Sequence, residues 1–413
     1  MRQIAVLGHG VVGSGVVEVL TKNKETIAKN VGEPICIKRI LDLRDFDVPY
    51  KNLFTKDYTD ILTDPEISIV VEVMGGINPS YDFVKAALKH KKSVVTSNKE
   101  LVAMKGAELL EIAKENNVNF FFEASVGGGI PIIRPMYQCL AANEILEVAG
   151  ILNGTTNFIL TKMIQEQMDF ADALALAQQL GYAEKDPTAD INGHDACRKI
   201  CILASLAYGK HIYPNFVHTE GIHDITLEDV EYASSCDCVI KLIGRTKPMP
   251  DGKIYCMVSP AFLHRTCQLA GVDDVFNGIL VRGNAVGDTV FYGRGAGKLP
   301  TASAVVADII DAAKANGTNH SLAWVDDGEN HVEDYLNTTT NYYLRVSACD
   351  VDGVEDRLQE LFGAVRFLKR KDQPESEYAF VAWNVGEREL LEKEQKLSQH
   401  NIEIISKIRV LDY

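Results

Sequence analysis

Long apolar runs are missing from this chain of 413 residues, and their absence excludes a membrane-spanning protein. No stretch reaches the roughly 20 consecutive apolar residues that a helix needs to cross a bilayer. The start, MRQIAVLGHG, enters a strand pattern at once and has neither the apolar centre nor the cleavage site of a signal peptide. An excess of positive charge is missing too. The formal net charge is −15, which argues against nucleic-acid and anionic membrane partners.

Cysteine is present but forms no recognisable framework. The nine cysteines are an odd number without regular spacing, which excludes a disulfide scaffold. Cys236 and Cys238 stand closest together, but no second cysteine or histidine pair lies at zinc spacing. Walker loops and nucleophile triads are also absent. Because free thiols persist in a reducing compartment, these features predict a cytoplasmic protein.

The first motif is a glycine-rich turn between a strand and a helix. Residues 3–7 read as a short buried strand, and GHGVVG follows at residues 8–13 with the apolar positions of a helix behind it. In such a G-x-G-x-x-G motif the glycines permit the tight turn, the approach of a pyrophosphate and close helix–strand packing. The helix N-terminus offers N–H groups to the anion. The motif predicts a dinucleotide site formed by Gly8, Gly10, Val11, Val12 and Gly13.

The second strand, residues 35–41, ends at two residues that indicate different cofactors. Asp42 would accept a hydrogen bond from a ribose 2′-hydroxyl and favour NAD, whereas Arg44 would pair with a 2′-phosphate and favour NADP. Further strands at 67–73, 93–96 and 118–122 alternate with helices at 79–89 and near 106–116. This alternation predicts a parallel, doubly wound α/β sheet with its ligand at the carboxyl ends of the strands.

Polar residues follow two of these strands. Thr96-Ser97-Asn98-Lys99 comes directly after one strand, where a lysine would lie near the nicotinamide or the substrate unless it is only a solvated loop residue. Glu123 follows the next strand and precedes three glycines at 127–129. Carbonyl oxygens beside a carboxylate suit a hard cation. From composition alone, a plain glycine-rich turn is the better interpretation.

The densest group of charges lies in GYAEKDPTADINGHDACRK, residues 181–199. Asn192 is a good helix N-cap, and Asp195 and Lys199 stand four residues apart on the same stripe as the apolar residues that follow. An ordinary i,i+4 ion pair on a helix surface is the alternative. Charged groups that face a core are rare unless they are paired or functional. The pattern therefore predicts a site with Asp195 and Lys199 on a buried face.

Changes of pattern along the chain predict three domains and a linker. Residues 1–132 form the doubly wound dinucleotide-binding domain, and 133–297 form a central α+β domain for catalysis and dimerisation. A helix over 298–316 is expected to pack back on the first domain. A polar linker at 317–340 leads to a tail at 341–413, whose β-α-β-β-α-β order predicts a ferredoxin-like unit.

Seven segments, in order and over essentially the whole chain, resemble the homoserine dehydrogenase family. They are the glycine-rich start, VVEVMGG (70–76), TSNKELVA (96–103), FFEASVGGGIPI (121–132), ILNGTTNFIL (151–160), GYAEKDPTADINGHDACRK (181–199) and GAGKLPTASAV (295–305). The resemblance implies interconversion of L-aspartate 4-semialdehyde and L-homoserine with NAD(P)H, on the route to threonine, methionine and isoleucine. The tail resembles the ACT domain of many members.

The resemblance also implies a role for each site residue. Reduction of an aldehyde by hydride needs a proton donor for the developing alkoxide, and Lys199 matches the family's residue. Lys99 matches a second lysine near the cofactor, and the choice between the two stays open. Glu184 and Asp195 match residues that hold the substrate amino group, and Asp190 matches an acid that lines the site. The cofactor set includes Arg44, Thr96, Ser97, Lys99, Gly181 and Gly297, and a structural sodium ion is implied on Glu123 and on the carbonyls of Val126, Gly128 and Ile130.

Two departures from the family leave alternatives open. Members usually carry a basic residue near the end of the second strand, and here Asp42 intervenes, so NAD and NADP both remain candidates. The tail turn at 350–353 reads DVDG and lacks the usual proline, so either L-threonine binding or simple subunit pairing suits the tail. The family implies a homodimer or a homotetramer. The competing functions are a dehydrogenase for another small amino acid and a non-catalytic NAD(H) sensor, which would leave Asp195, Lys199 and Glu184 unexplained.

Overall fold

A computed structural model describes residues 1–315, 318–319, 322, 324–350 and 352–411 of the chain. Its strands are β1 (Arg2–Leu7), β2 (Ile35–Leu41), β3 (Phe54–Thr55), β4 (Ile67–Glu72), β5 (Ser93–Thr96), β6 (Phe120–Phe121), β7 (Ile145–Ile151), β8 (His218–Thr219), β9 (Cys238–Pro248), β10 (Ile254–His264), β11 (Phe276–Gly283), β12 (Gly287–Arg294), β13 (Thr339–Ala348), β14 (Val365–Leu368), β15 (Glu377–Gly386) and β16 (Ile402–Leu411).

The α-helices are α1 (Val11–Lys22), α2 (Lys24–Val31), α3 (Thr59–Leu62), α4 (Ser80–Lys89), α5 (Lys99–Glu115), α6 (Gly154–Glu166), α7 (Phe170–Gln179), α8 (Thr188–Ile191), α9 (His194–Tyr208), α10 (Leu227–Ser235), α11 (Lys298–Lys314), α12 (Val354–Phe362) and α13 (Glu387–Gln399). Within the described ranges, no helix has the length and apolar character needed to span a membrane.

Contacts divide the chain into two compact units. The first comprises Met1–Leu146, Arg198–Phe216 and Arg282–His331, and the second comprises Glu147–Cys197, Val217–Val281 and Val332–Tyr413. This division differs from the predicted domains, because parts of the chain that are distant in sequence pack together. The predicted boundaries at 132, 297, 317 and 341 stay a prediction.

The first unit contains a parallel sheet of order β3-β2-β1-β4-β5-β6. Chain order reverses between β1 and β4, which is the switch point where doubly wound folds bind their ligands. The four residues 4–7 of β1 are fully buried, as expected for a central strand covered on both faces. The predicted doubly wound α/β sheet is therefore confirmed.

Helix α11 packs against α1 within the same unit. A Cβ added to Gly15 would lie 2.7 Å from the Lys298 carbonyl oxygen and 3.0 Å from the Ala302 Cβ, so the two backbones approach closely only because residue 15 is glycine. Lys298 Nζ also lies 2.8 Å from Glu18 Oε2. The helix predicted over 298–316 thus begins as expected, and its last predicted residue lies outside the described residues.

The second unit contains a sheet in which β11, β7, β9, β10, β16, β13, β15 and β14 follow one another, with β8 beside β10. The antiparallel pair β9–β10 runs from Pro248↔Ile254 to Cys238↔His264. Within the tail the order β16-β13-β15-β14 is antiparallel throughout, which is the ferredoxin-like arrangement. The last strand, β16, also runs parallel to β10, so the tail sheet continues the central one.

Two predicted helix boundaries near the site were wrong. Helix α9 begins at His194, and Asn192 is instead the C-cap of α8, because Gly193 takes a left-handed φ of +80° that separates the two helices. Helix α5 begins at Lys99, well before the predicted start near 106, because the Asn98 side chain accepts from the Leu101 N–H at 3.1 Å and caps it. Part of the predicted linker 317–340 lies outside the described residues.

Candidate active site

The glycine-rich turn after β1 forms a cradle for an anion. Gly8 has a left-handed φ of +96°, and a Cβ at Gly13 would overlap the Gly8 carbonyl oxygen. A Cβ at Gly10, by contrast, would meet nothing within 4 Å. Helix α1 begins at Val11 without a side-chain cap, and Val11 and Val12 form its first turn. The open space at Gly10, in front of these amide groups, fits the pyrophosphate of a dinucleotide.

At the end of β2, one carboxylate holds several donors. Asp42 Oδ2 accepts from the His9 N–H at 2.8 Å and from Arg44 Nη2 at 2.9 Å, and Oδ1 accepts from Arg44 N and Nε at 3.0 Å. These hydrogen bonds, mainly from the Arg44 side chain, hold the pKa of Asp42 well below its usual range. The Asp42 side chain is 8% exposed, whereas that of Arg44 is 65% exposed. Asp42 is therefore fixed, and Arg44 is held against it at the surface.

Glu72 joins the ends of β4 and β5, and no sequence pattern singled this residue out. Its fully buried carboxylate accepts from Thr96 Oγ1 at 2.6 Å, from Ser80 Oγ at 3.2 Å and from the Met74 N–H at 2.8 Å. The Thr96 hydroxyl thus helps to order the strand end, and the contact of Thr96 with the cofactor stays a prediction. Ser97 follows half-buried, and its N–H points to the Glu72 carbonyl at 3.4 Å.

The two predicted catalytic lysines both lie on helices. Lys99 is the first residue of α5 and is half-buried. Lys199 lies on α9, where its exposure is 7%, and Asp195 on the same helix is 3% exposed. The inward orientation predicted for Asp195 and Lys199 is therefore confirmed. Because both side chains are buried, Asp195 and Lys199 do not form an ordinary ion pair on a solvated helix surface.

In the second unit, Asn153 brings two predicted substrate residues together. Its Nδ2 donates to Asp190 Oδ1 at 2.7 Å and to Asp195 Oδ2 at 2.8 Å, and its Oδ1 accepts from the Thr156 N–H and caps α6. The Asn153 side chain is buried, so these bonds are made away from competing water. Sequence reasoning missed Asn153. The available signal was its N-cap position at the start of NGTTN.

Three further predicted site residues, Glu184, Gly181 and Gly297, lie at the surface. Glu184 is exposed, and its backbone carbonyl accepts from Gln178 Nε2 at 3.1 Å. Gly181 has a left-handed φ of +74° and follows the end of α7. In the first unit, Gly297 is the N-cap of α11 with a φ of +126°. These conformations explain why glycine occupies positions 181 and 297 independently of any ligand.

The predicted cation site is centred on a buried carboxylate in the first unit. Glu123 accepts from the backbone N–H groups of Ile132, Ile133 and Arg134 at 2.6–2.8 Å. Asp308 Oδ2 accepts from the Glu123 N–H at 2.8 Å, and Asp308 Oδ1 pairs with Arg134 Nη2 at 2.7 Å. Burial, together with repulsion from Glu123, raises the pKa of Asp308 well above its usual value. The carbonyl groups predicted to ligate the ion belong to Val126, Gly128 and Ile130. These residues follow Glu123 closely in the sequence, and all three are buried.

The glycines of this turn have a packing reason of their own. A Cβ at Gly128 would overlap the Gly295 carbonyl oxygen, and the Gly129 N–H donates to the Arg294 carbonyl at 3.0 Å. Within the described ranges no group of three or more His, Cys, Asp or Glu side chains is placed to hold a metal ion. A cation at Glu123 would therefore depend mainly on carbonyl oxygens.

A doubly wound sheet with a dinucleotide cradle, and a buried lysine and carboxylate on one helix, together define the class of nicotinamide-dependent dehydrogenases. Two family models match the chain, namely the NAD-binding domain of homoserine dehydrogenase over residues 8–123 and homoserine dehydrogenase over 131–310. The homoserine dehydrogenase of Bacillus subtilis is 43% identical over 318 residues, which cover 76% of this chain and 73% of the relative.

Solved structures agree. A homoserine dehydrogenase from Thiobacillus denitrificans superposes with a TM-score of 0.90 at 34% identity, covering 100% of this chain and 98% of that one. A hyperthermophilic archaeal homoserine dehydrogenase in complex with NADPH superposes with a TM-score of 0.65 at 30% identity, covering 75% and 97%. The chain belongs to the homoserine dehydrogenase family and is an NAD(P)-dependent oxidoreductase. The resemblance stated from its motifs is confirmed.

Proposed function

We propose that the residues described above carry out the interconversion of L-aspartate 4-semialdehyde and L-homoserine, which serves threonine, methionine and isoleucine biosynthesis. The observation that carries this proposal is that the buried Asn153 holds two carboxylates, those of Asp190 and Asp195. Asp195 lies on α9, the helix that also bears the buried Lys199. Paired carboxylates suit the ammonium group that both substrates share. A second function is not favoured by any contact of these residues.

Each residue would have a distinct task. The nicotinamide, when bound, supplies or accepts the hydride. Lys199 would donate a proton to the developing alkoxide during reduction and accept it during oxidation, and its ammonium charge would stabilise that alkoxide. Lys99 is the alternative proton donor. Asp195 and Glu184 would hold the substrate ammonium group, with Asp190 completing the acidic lining.

The test is homoserine-dependent reduction of NAD and NADP by the purified chain, followed by the absorbance of the reduced nicotinamide. L-Serine, which is shorter by one methylene group, is the matched control substrate. Turnover with L-homoserine and little with L-serine supports the proposal. Equal turnover with both would favour a different amino-acid dehydrogenase, and no turnover would favour a sensor.

We further propose that the cofactor choice depends on Asp42 and that the chain prefers NAD. Asp42 is fixed by the His9 N–H and faces the position of the adenosine ribose in this fold. A fixed carboxylate accepts from a 2′-hydroxyl and repels a 2′-phosphate. Arg44 is held on Asp42 and is therefore unavailable to a phosphate unless it turns outward.

Replacing Asp42 by serine should raise the ratio of kcat/KM for NADP over NAD by about 10- to 100-fold, because repulsion is removed and Arg44 is released. Initial rates with both cofactors measure this ratio. The Arg44→Ala variant is the control and should lower the ratio. An Asp42→Ser enzyme with the wild-type ratio would show that Asp42 does not decide cofactor choice.

A sodium ion at Glu123 is also proposed, as a structural element without a step in the reaction. After accepting three N–H groups, a carboxylate still has a lone pair to offer, so Glu123 fits such an ion. The Glu123 carboxylate is 2% exposed, so a cation beside it would be favourable.

For the tail, we propose an ACT-type domain that binds L-threonine as a feedback effector, in a homodimer or homotetramer. Its support is the ferredoxin-like strand order and the continuation of its sheet into the central sheet through β16. Val351, in the turn that lacks the usual proline, lies outside the described residues. A cytoplasmic location is proposed too, since all nine cysteines are free thiols.

Millimolar L-threonine should lower the rate of homoserine oxidation several-fold, a coupling of the size usual for an effector. D-Threonine, which has the same composition but the wrong hand, is the control. Rates with both at saturating cofactor measure the effect. A flat rate across millimolar L-threonine would leave subunit pairing as the role of the tail.

A further inference from the structure

The last strand of the tail carries a buried arginine that reaches the central part of the second unit. Arg409, on β16, is 4% exposed. Its Nε and Nη2 donate to the two carboxylate oxygens of Glu387 at 2.8 and 3.0 Å, and its Nη1 donates to Glu220 Oε2 at 2.7 Å. The bidentate pairing with the buried Glu387 and the third bond to the half-buried Glu220 form a fork around one guanidinium, which tolerates little movement.

Glu220 is held from both sides. Its other carboxylate oxygen, Oε1, lies 2.7 Å from His218 Nε2, and the His218 ring stacks on Tyr335 at 3.7 Å. Burial by itself would raise the pKa of Glu220, but hydrogen bonds from His218 and the charge of Arg409 outweigh it and lower the pKa to about 2. The carboxylate is thus charged and fixed at neutral pH.

The backbone next to Glu220 touches the segment that bears the substrate carboxylates. The Ile222 N–H donates to the Ile191 carbonyl at 2.9 Å, and a Cβ at Gly221 would overlap that same oxygen. From the other direction, a Cβ at Gly193 would lie 3.0 Å from the Glu220 carbonyl oxygen. The backbone of residues 220–222 therefore packs against the backbone of residues 191–193. The latter three residues lie in the sequence between Asp190 and Asp195.

We propose that Glu220 and Arg409 are positioning residues that fix the 191–193 turn, so that the tail's last strand sets the affinity for the amino-acid substrate. The inference rests on the proposed role of Asp190 and Asp195 in holding the substrate ammonium group. Moving Arg409 shifts Glu220, the adjoining backbone and then the turn between the two carboxylates. Any event that displaces β16 reaches the substrate site by this route.

The Arg409→Met variant removes the fork and should raise the KM for L-homoserine about tenfold or more, with the dissociation constant of the cofactor unchanged, because only the substrate carboxylates are misplaced. Arg409→Lys keeps the charge and should restore part of the loss. Glu220→Gln keeps the shape of its side chain and should raise the same KM, which keeps the test readable if Arg409→Met fails to fold. The double variant should be no worse than Arg409→Met alone.

Arg370→Met is the matched control. Arg370 is also a largely buried tail arginine, 13% exposed, that pairs with Glu377 and Glu231 at 2.9 and 3.3 Å, and these partners lie on β15 and α10. This variant should lower the melting temperature without changing the KM for L-homoserine. Equal changes of KM in Arg370→Met and Arg409→Met, or an unchanged KM in Arg409→Met and Glu220→Gln, would overturn the inference.

The Asp195→Asn variant tests the proposed substrate role separately from the proposed positioning role. If it raises the KM for L-homoserine while Arg409→Met and Glu220→Gln do not, the positioning role alone fails. If Asp195→Asn leaves the KM unchanged, the proposed substrate role fails and the positioning inference falls with it.

Discussion

Replacing Lys199 by methionine should lower kcat for homoserine oxidation by about 10²- to 10⁴-fold, the usual contribution of a positioned acid–base group. Methionine has a similar length and no proton to exchange, so the buried position on α9 stays filled. The dissociation constant of the cofactor should change by less than about twofold, because the loss concerns the chemical step rather than binding. Stopped-flow rates and a fluorescence titration of the reduced cofactor measure the two quantities.

Arg198→Met and Lys99→Met are the controls for that result. Arg198 is the preceding residue on α9, is half-buried and lies 3.4 Å from Glu100 Oε1, so its loss should leave kcat nearly unchanged. Lys99→Met decides between the two candidate proton donors. A Lys199→Met enzyme that keeps most of its kcat, with Lys99→Met much slower, would transfer the proton role to Lys99.

The Gly13→Ala variant should lose both stability and cofactor affinity. Its new Cβ overlaps the Gly8 carbonyl oxygen, which is backbone and cannot move aside without opening the packing of α1 on β1. Overpacking of this kind lowers the free energy of unfolding by about 1–3 kcal/mol. The disturbed turn should also raise the dissociation constant of the dinucleotide by about 100-fold. Chemical denaturation without cofactor, together with a binding titration, measures both.

Gly10→Ala separates the two effects. A Cβ there meets no protein atom within 4 Å, so the unfolding free energy without cofactor should change by less than about 0.5 kcal/mol. The methyl group would nevertheless occupy the space through which the pyrophosphate approaches the backbone, and affinity should fall about tenfold or more. Wild-type affinity in Gly10→Ala would place the pyrophosphate elsewhere.

Features that are local along the chain could be predicted from its residues alone. The strand, glycine turn and helix at 1–22 are contiguous, and the motif already states why Gly8, Gly10 and Gly13 are glycines. The helical stripe of α9 predicted that Asp195 and Lys199 face inward, because a period of 3.6 residues fixes which side chains share a face. The order of elements predicted the doubly wound sheet and the ferredoxin-like tail, since connection rules leave few other arrangements.

Which side chains meet across long separations depends on the packing of the folded chain. Asn153 reaches Asp190 and Asp195, Glu72 joins two strand ends, and Glu220 meets Arg409 across 189 positions of the chain. Nothing in periodicity or spacing encodes these pairs, because a hydrogen bond depends on the final packing of both elements rather than on either segment alone. The start of α5 at Lys99 was likewise missed, because the asparagine that caps it read as part of a loop. Local patterns specify which surfaces are buried, and the packing of those surfaces then selects the polar partners.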